Sequence, residues 1–194
     1  MNIINNIKDT ALIFEGGGMR ASYTAGILNN LLENEIYFDY VAGISAGSSH
    51  SVNYMSRDII RAKRSFVDIV LDPDFGGWKS FFKGEGFFRS KYIYEESCFP
   101  DAALPLDFGT FMANSAQLRI GAFDRDSGKI RYFAKKDIHE ISDLMKIVRA
   151  SSSLPILMPE TYYDGHHYLD GGLAGGIALD NAKKDGFKKF FAVL

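Results

Sequence analysis

The sequence has very little cysteine and no long apolar run, and both absences restrict the classes of protein it can belong to. Its 194 residues include one cysteine, Cys98, which excludes an internal disulfide framework and favours a reducing compartment. No apolar run approaches the roughly 20 residues that a membrane-spanning helix needs. Residues 1–10 also lack the apolar stretch of a secretory signal. We therefore expect a cytoplasmic protein that contacts membranes only peripherally.

An excess of charge of either sign is missing as well. The 22 Lys and Arg residues against 24 Asp and Glu residues give a formal net charge of −2. A chain this close to neutrality lacks the basic surface that binds nucleic acid, so we expect no nucleic-acid partner. Hydrophobic residues make up 46% of the chain, which is ordinary for a globular protein, and the length suits one domain over residues 1–194. Composition does not indicate an oligomeric state.

Short apolar runs alternate with helical patterns along most of the chain. Residues 10–15 and 40–44 predict buried strands, and each run ends in a turn bounded by glycine. Further strand patterns predict a hairpin of 117–123 with 129–133 and a final strand at 188–194. The spacing of apolar residues predicts helices at 21–33, 46–55, 57–71, 141–150 and 178–185.

This alternation predicts an α/β fold with three α/β/α layers and a largely parallel central sheet. The segment 72–90 interrupts the pattern with glycines and aromatic residues, and predicts a long loop or an irregular cap. The chain stops in a predicted core strand with nothing after it to cover the sheet. We therefore expect a domain that is truncated at its C-terminus.

The segment Gly43-Ile44-Ser45-Ala46-Gly47 matches the G-x-S-x-G nucleophile elbow, with a predicted strand before it and a helix after it. A sharp turn would project the Ser45 hydroxyl from the sheet, and the glycines would leave room for close packing. The N–H groups of the following helix would favour developing negative charge. The alternative is an ordinary turn in which Ser45 only caps a helix.

A second glycine-rich turn, Gly16-Gly17-Gly18, also lies between a predicted strand and a helix. Consecutive glycines let N–H donors converge on one point, which in an acyl hydrolase is the oxyanion of the tetrahedral intermediate. Arg20 could hold this loop in shape or contact an anionic head group. Two other interpretations are a structural turn and a loose dinucleotide fingerprint, the latter weakened because the second strand leads into Ser45 rather than an acidic residue.

A nucleophilic serine needs a general base, and histidine does not supply it in the α/β-hydrolase order of serine, acid, histidine. A base at His166 or His167 would leave Asp170 or a later acid as the third member and invert that order. Asp170, directly before two glycines, could instead reach the hydroxyl and form a dyad, or it could simply cap its own turn. His166 and His167 are adjacent and have no further ligands at recognisable spacing, which favours a surface hairpin over a metal site.

Four motifs in this order resemble the patatin-like phospholipase family. They are Gly16-Gly17-Gly18-Met19-Arg20, Gly43-Ile44-Ser45-Ala46-Gly47, the block Ala150-Ser151-Ser152-Ser153-Leu154-Pro155, and Asp170-Gly171-Gly172. The resemblance implies lipid acyl hydrolysis by a Ser-Asp dyad, with Ser45 as nucleophile and Asp170 as base. It implies the Gly16–Gly18 loop as oxyanion hole, a supporting role for Ser151, and no metal ion or other cofactor.

The aromatic segment within 72–90 bears on the substrate. Its rings are interleaved with lysine and arginine, a pattern that suits a lipid–water interface, although packing as a cap over the active site explains it as well. In either case the surroundings of Ser45 would be apolar, which fits a lipid or fatty-acyl ester substrate. The alternative function is a non-catalytic or regulatory protein that binds an anion or lipid on the same fold.

Overall fold

The computed structural model describes residues 3–194, and within them seven strands form one mixed sheet. The strand order is β5-β6-β3-β2-β1-β7, and β4 pairs with β3 beside this path. The pairs β1–β2, β1–β7 and β2–β3 are parallel, whereas the pairs that involve β4, β5 and β6 are antiparallel. The strands are β1 Thr10–Phe14, β2 Tyr40–Ile44, β3 Gln117–Asp124, β4 Lys129–Phe133, β5 Thr161–Tyr163, β6 His166–Asp170 and β7 Lys189–Val193.

Eight α-helices accompany the sheet in the described residues. They are α1 Ala21–Glu33, α2 Ala46–Met55, α3 Ile59–Lys63, α4 Trp78–Phe82, α5 Ser90–Tyr94, α6 Phe108–Ala113, α7 Ile141–Ser151 and α8 Leu179–Lys184. None of the helices in this part of the chain is long and apolar enough to cross a membrane.

Successive side chains of a strand point to opposite faces of the sheet, so the central strands contribute to one hydrophobic core on each face. Leu12 and Phe14 of β1 pack with Val41 of β2 in the larger cluster, together with buried residues of α1, α2 and α7. Ala11, Ile13 and other residues of the opposite phase pack with Ala178 and Ala182, at and within α8. The sheet therefore has helices on both faces, and the predicted α/β architecture with mostly parallel central strands is confirmed.

The single helix predicted for 57–71 is wrong in detail. Arg57 has a positive φ of 57°, which ends any preceding helix, and the Asp58 carboxylate caps α3 by accepting a hydrogen bond from Arg61 N–H. After α3 the chain continues as a π-helical turn, Arg64–Asp68, and a 3₁₀ turn, Ile69–Leu71. The apolar spacing identified the buried residues Ala62, Phe66 and Ile69 of this segment, but it does not distinguish an α-helix from a 3₁₀- or π-helix.

The segment 72–90 is mostly irregular, as predicted, and contains the short helix α4. The surface hairpin expected around His166 and His167 is formed by β5 and β6. Because β6 is antiparallel to β3, it carries Asp170 back to Ala122 in the middle of the sheet. That register brings a residue from late in the chain to the carboxyl end of β2.

His50 of α2 is a fully buried imidazole. Its Nε2 lies 2.9 Å from both the Thr24 hydroxyl and the Ala21 carbonyl oxygen, and its ring contacts those of Phe14 and Phe66. Burial lowers the pKa of His50 to about 4. The imidazole is therefore neutral in the folded protein at neutral pH.

His50 should make the free energy of unfolding fall as the pH drops from about 6.5 to 4. Above this range the imidazole is neutral in both states, whereas within it only the unfolded chain takes up the proton, a loss on the order of 3 kcal/mol. Chemical denaturation at several pH values should show a shallower pH dependence for His50→Gln than for the wild type. The matched control His139→Gln, at an exposed position, should keep the wild-type dependence. Parallel curves for wild type and His50→Gln would contradict the assignment.

Candidate active site

Ser45 lies between the carboxyl end of β2 and the first turn of α2. Its φ of 54° and ψ of −126° place a non-glycine residue in a sparsely populated backbone region. Such strain is typical of functional turns and costs on the order of 1–3 kcal/mol, which the surrounding structure must offset. The turn is therefore a strained strand-to-helix elbow with its serine at the apex.

Gly43 and Gly47 allow this elbow to pack against the end of β1. A Cβ atom on Gly43 would lie 2.1 Å from the Gly47 carbonyl oxygen, and one on Gly47 would lie 2.2 Å from the Phe14 carbonyl oxygen. Both distances are far below van der Waals contact, so any side chain would push α2 away from the sheet. The two glycines of the motif are thus required by backbone packing on both sides of Ser45.

Asp170 approaches Ser45 from the end of β6. The Ser45 hydroxyl donates a hydrogen bond to Asp170 Oδ2 at 2.7 Å, and Gly172 N–H donates to Oδ1, also at 2.7 Å. Asp170 therefore contacts the serine and also caps its own turn, so the two interpretations of this residue are compatible. Both side chains are almost fully buried, with 6% of Ser45 and 3% of Asp170 exposed.

Burial raises the pKa of the Asp170 carboxyl above its usual value, although the hydrogen bonds from Ser45 and Gly172 oppose this effect. A raised pKa makes the ionised carboxylate a stronger base toward the serine proton than an exposed aspartate would be. None of the four imidazoles, all of which lie in the described residues 3–194, hydrogen-bonds to Ser45 or Asp170. The geometry therefore pairs the serine with a carboxylate.

The serine block at the end of α7 holds both members of this pair. Ser151 accepts a hydrogen bond from Ser45 N–H at 2.8 Å and donates one to the Gly121 carbonyl oxygen at 2.6 Å. Asp170 N–H donates to the Ser153 carbonyl oxygen at 2.9 Å. Ser151 therefore fixes the strained elbow to β3, and the backbone of the same block fixes the turn that carries Asp170.

The glycine-rich loop runs beside the elbow. A Cβ atom on Gly16 would lie 3.1 Å from Ser45 Cβ, so the loop passes directly next to Ser45. The Gly16 N–H already donates to the Gly176 carbonyl oxygen at 2.9 Å, whereas those of Gly17 and Gly18 have no acceptor within residues 3–194. Arg20 packs on this loop, since a Cβ atom on Gly17 would lie 3.2 Å from its guanidinium nitrogens.

An apolar pocket opens at Ser45. It has about 820 Å³ of space between protein atoms, part of it open to solvent, and its wall combines α2, α3, α7 and the aromatic segment. The lining includes Val52, Phe66, Phe75, Phe88, Leu104, Met145, Val148 and Met158. An apolar pocket with a few polar groups at one place suits a ligand with a long hydrocarbon part.

One cluster with metal-ligand chemistry lies away from this pocket, and the spacing of residues in the sequence did not reveal it. Atoms of Asp124, Asp126 and His166 come within 4.8 Å of one another. Asp124 accepts the N–H groups of Asp126 and Ser127 and lies 3.2 Å from His166 Nδ1, while Asp126 accepts the N–H of His167. These contacts give the carboxylates a structural role in joining the β3–β4 turn to β6.

Comparison with known proteins identifies the family of this chain. The model of the family described as patatin-like phospholipase matches residues 12–183, which include the glycine loop, the serine elbow and Asp170. This chain belongs to the patatin-like phospholipase family. The membership agrees with the order of the four motifs, from which the resemblance was first inferred.

Two curated relatives show how far the similarity extends. The patatin-like chain is 23% identical over 188 residues to the uncharacterized protein YjjU of Escherichia coli, covering 94% of this chain and 51% of that protein. It is 29% identical over 203 residues to lysophospholipase NTE1 of Meyerozyma guilliermondii, covering 98% of this chain and 13% of that protein. The chain thus spans about half the length of one relative and about an eighth of the other.

A solved structure shares the fold. VipD from Legionella pneumophila superposes with a TM-score of 0.55 at 14% sequence identity, over 87% of this chain and 47% of that one. At this identity the likeness supports the patatin-like fold alone.

Asp170→Asn should change the pH dependence of stability in this patatin-like protein. The folded-state pKa of Asp170 is raised by burial, so the wild type loses free energy of unfolding as the pH rises from about 4 through the raised pKa. The neutral amide avoids this loss, which is about 1.4 kcal/mol for every tenfold difference in proton affinity between the folded and the unfolded chain. Urea denaturation should therefore show the variant gaining stability relative to the wild type between pH 4 and 7.

Asp107→Asn provides a control of opposite sign. Hydrogen bonds from the hydroxyl and N–H of Thr110 lower the pKa of Asp107, so this variant should lose stability relative to the wild type as the pH rises toward about 4, and the difference should stay constant above that pH. A constant difference between Asp170→Asn and wild type across the range would show that burial does not destabilise the Asp170 carboxylate.

Proposed function

We propose that this protein is a serine lipid acyl hydrolase with Ser45 as nucleophile and Asp170 as general base. The observation that carries the proposal is the 2.7 Å hydrogen bond between the two side chains at the end of an apolar pocket. Membership of a phospholipase family and similarity to proteins named lysophospholipase support a lipid ester as substrate. Since every strand in residues 3–194 joins one sheet, we also propose that residues 1–194 belong to one acyl hydrolase domain.

In the first half of the proposed reaction, the Ser45 hydroxyl oxygen attacks the ester carbonyl carbon while Asp170 takes the hydroxyl proton. The negative charge of the tetrahedral intermediate faces the glycine loop, where the N–H groups of Gly17 and Gly18 are the candidate donors. The loop was predicted as a whole, and the bond from Gly16 to Gly176 narrows the proposed donors to its second and third residues. Arg20 would support them by packing against Gly17.

In the second half, the intermediate collapses and the alcohol part of the lipid leaves with the proton held by Asp170. Water then gives a proton to Asp170 and attacks the acyl-serine. As the acyl–oxygen bond to Ser45 breaks and the fatty acid leaves, Asp170 returns that proton to the Ser45 oxygen, which restores the hydroxyl and the carboxylate. The scheme balances without a metal ion or other cofactor. The apolar pocket would hold the acyl chain throughout both halves.

A fluorophosphonate probe should label Ser45 and no other residue, because only an activated serine attacks its phosphorus. Mass spectrometry of the tryptic peptides should find the adduct in the wild type, none in Ser45→Ala, and labelling slowed by about 10²-fold or more in Asp170→Asn. Ser49→Ala, which changes another serine in the same pocket, should label at the wild-type rate.

The labelling experiment also separates the proposal from two rivals. A folded wild-type protein that is not labelled would leave only the binding of an anion or lipid as its function. Loss of labelling in a folded His166→Gln or His167→Gln variant would mean that the base is a histidine and that the dyad is wrong.

We further propose that the segment around α4 makes peripheral contact with a lipid surface. Phe75 and Phe88 of this segment line the pocket, whereas Trp78 is 67% exposed and Phe82 is 82% exposed. The segment thus combines the two roles expected for it, a cap over the pocket and an outward aromatic surface. The exposed rings lie beside lysines 79 and 83 in the sequence, so a lipid substrate could pass from the interface to Ser45.

Trp78 is the only tryptophan in the chain, which makes its fluorescence a specific reporter. Addition of phosphatidylcholine vesicles should shift its emission to shorter wavelength, because the indole leaves water. Phe82→Ser should weaken vesicle affinity by about 30-fold, since burying an aromatic ring contributes roughly 2 kcal/mol. Hydrolysis of a soluble short-chain ester should not change in this variant. An emission spectrum unaffected by vesicles would contradict the proposed contact.

A further inference from the structure

Arg61 places a buried positive charge in the wall of the apolar pocket. Only 7% of the residue is exposed, and it lines the same cavity as Ser45. The partners of its guanidinium are all uncharged: Nε donates to the Leu104 carbonyl oxygen at 3.2 Å, Nη2 donates to Cys98 Sγ at 3.1 Å, and Nη1 donates to Asn53 Oδ1. Within residues 3–194, no carboxylate forms an ion pair with it.

A guanidinium in this position is unusual on energetic grounds. Buried charges in proteins are ordinarily paired, because removing an ion from water is unfavourable unless an opposite charge compensates for it. The half-buried Arg149 of α7 follows the rule and lies 2.6 Å from Glu95. Arg61 also carries more N–H donors than its three partners accept. An anionic group of a ligand in the pocket would supply both the missing charge and the missing acceptors.

The rise of α2 gives the length of helix between Ser45 and the residue that contacts Arg61. Ser45 precedes the helix, Ser49 and Val52 line the pocket along it, and Asn53 contacts Arg61. Asn53 is eight residues beyond Ser45, which corresponds to about 12 Å at the rise of an α-helix. An extended chain advances about 1.2 Å per bond, so the span is roughly ten bonds.

We propose that Arg61 determines specificity for acyl chains that end in a carboxylate roughly ten bonds from the ester carbonyl. The ester would lie at Ser45, the methylene groups would contact the apolar wall, and the terminal carboxylate would pair with the guanidinium. The Cys98 thiol donates to the Tyr94 carbonyl oxygen at 3.1 Å, and its sulfur accepts the hydrogen bond from Arg61 Nη2. This inference rests on the proposed esterase function.

The test compares two soluble esters of the same length, the p-nitrophenyl monoester of decanedioic acid and p-nitrophenyl decanoate. The wild type should prefer the acid-terminated ester, and Arg61→Met should lower this preference, measured as the ratio of kcat/KM values, by about tenfold to hundredfold. The loss should appear in KM rather than in kcat, because Arg61 binds the chain and does not take part in bond cleavage. Arg61→Lys should restore part of the preference.

Arg64→Met is the matched control. Arg64 lies three residues further along, is exposed, and donates to the Ala103 carbonyl oxygen, so its variant should keep the wild-type ratio. If Arg61→Met slows both esters equally, Arg61 is a structural link between α3 and α2 and the inference is wrong. The proposed esterase function fails separately, if the wild type hydrolyses neither ester and Ser45 is not labelled by a fluorophosphonate.

A series of chain lengths on the wild type keeps the inference testable if Arg61→Met does not fold. Monoesters of dicarboxylic acids should show a maximum of kcat/KM near ten bonds, relative to monocarboxylic esters of equal length. A ratio that does not change with chain length would overturn the proposal.

Discussion

The close contact between the first turn of α2 and the end of β1 is the constraint on which the site depends. It exists because Gly47 has no side chain where α2 meets Phe14 of β1, and because Gly43 of β2 has none where it meets the Gly47 carbonyl oxygen. The contact forces Ser45 into a strained conformation that directs its hydroxyl toward Asp170. The Ser45 N–H donates a hydrogen bond to the Ser151 hydroxyl, which in turn donates to the Gly121 carbonyl oxygen, and the two bonds hold the turn in that conformation.

Two opposing effects act on the carboxyl group of Asp170. Asp170 is buried, which raises its pKa, but it accepts hydrogen bonds from the Ser45 hydroxyl and from Gly172 N–H that stabilise its ionised form. These opposing effects keep the carboxylate both ionisable and basic. His50 lies in α2, five residues after Ser45, and packs among aromatic rings. Burial lowers its pKa, so its imidazole is neutral. Burial therefore has different consequences for the two groups, because their hydrogen-bond partners differ.

The apolar pocket runs along α2 from Ser45 toward Arg61. The face of α2 that starts at Ser45 continues past Ser49 and Val52 toward Asn53, where it meets Arg61. A single helix thus connects Ser45 to the residue that contacts the buried guanidinium of Arg61. The aromatic segment closes the pocket with Phe75 and Phe88 and turns Trp78 and Phe82 outward. The same stretch of chain therefore contacts both the interior of the pocket and the surroundings of the protein.

Much of this could be predicted from local sequence. The strands at Thr10–Phe14 and Tyr40–Ile44 and the helices that follow them depend on apolar spacing and on glycines at turns, which are properties of neighbouring residues. The ordered motifs likewise indicated the family and paired Ser45 with Asp170 as a hypothesis. The change from α-helix to a π-helical and then a 3₁₀ turn within 57–71 was missed because apolar spacing does not distinguish these helix types.

Only the tertiary structure decided the contacts between residues far apart in the chain. The antiparallel register of β6 against β3 brings Asp170 to Ser45, and the bond from Gly16 to Gly176 leaves Gly17 and Gly18 as the remaining donors of their loop. The uncompensated charge of Arg61 has no sequence signal, since it depends on which side chains fail to reach a buried group. Sequence alone determined the elements and the types of reactive group, because these follow from local chemistry. The distances between these groups, their burial and their hydrogen-bond partners follow from packing, which depends on contacts along the whole chain.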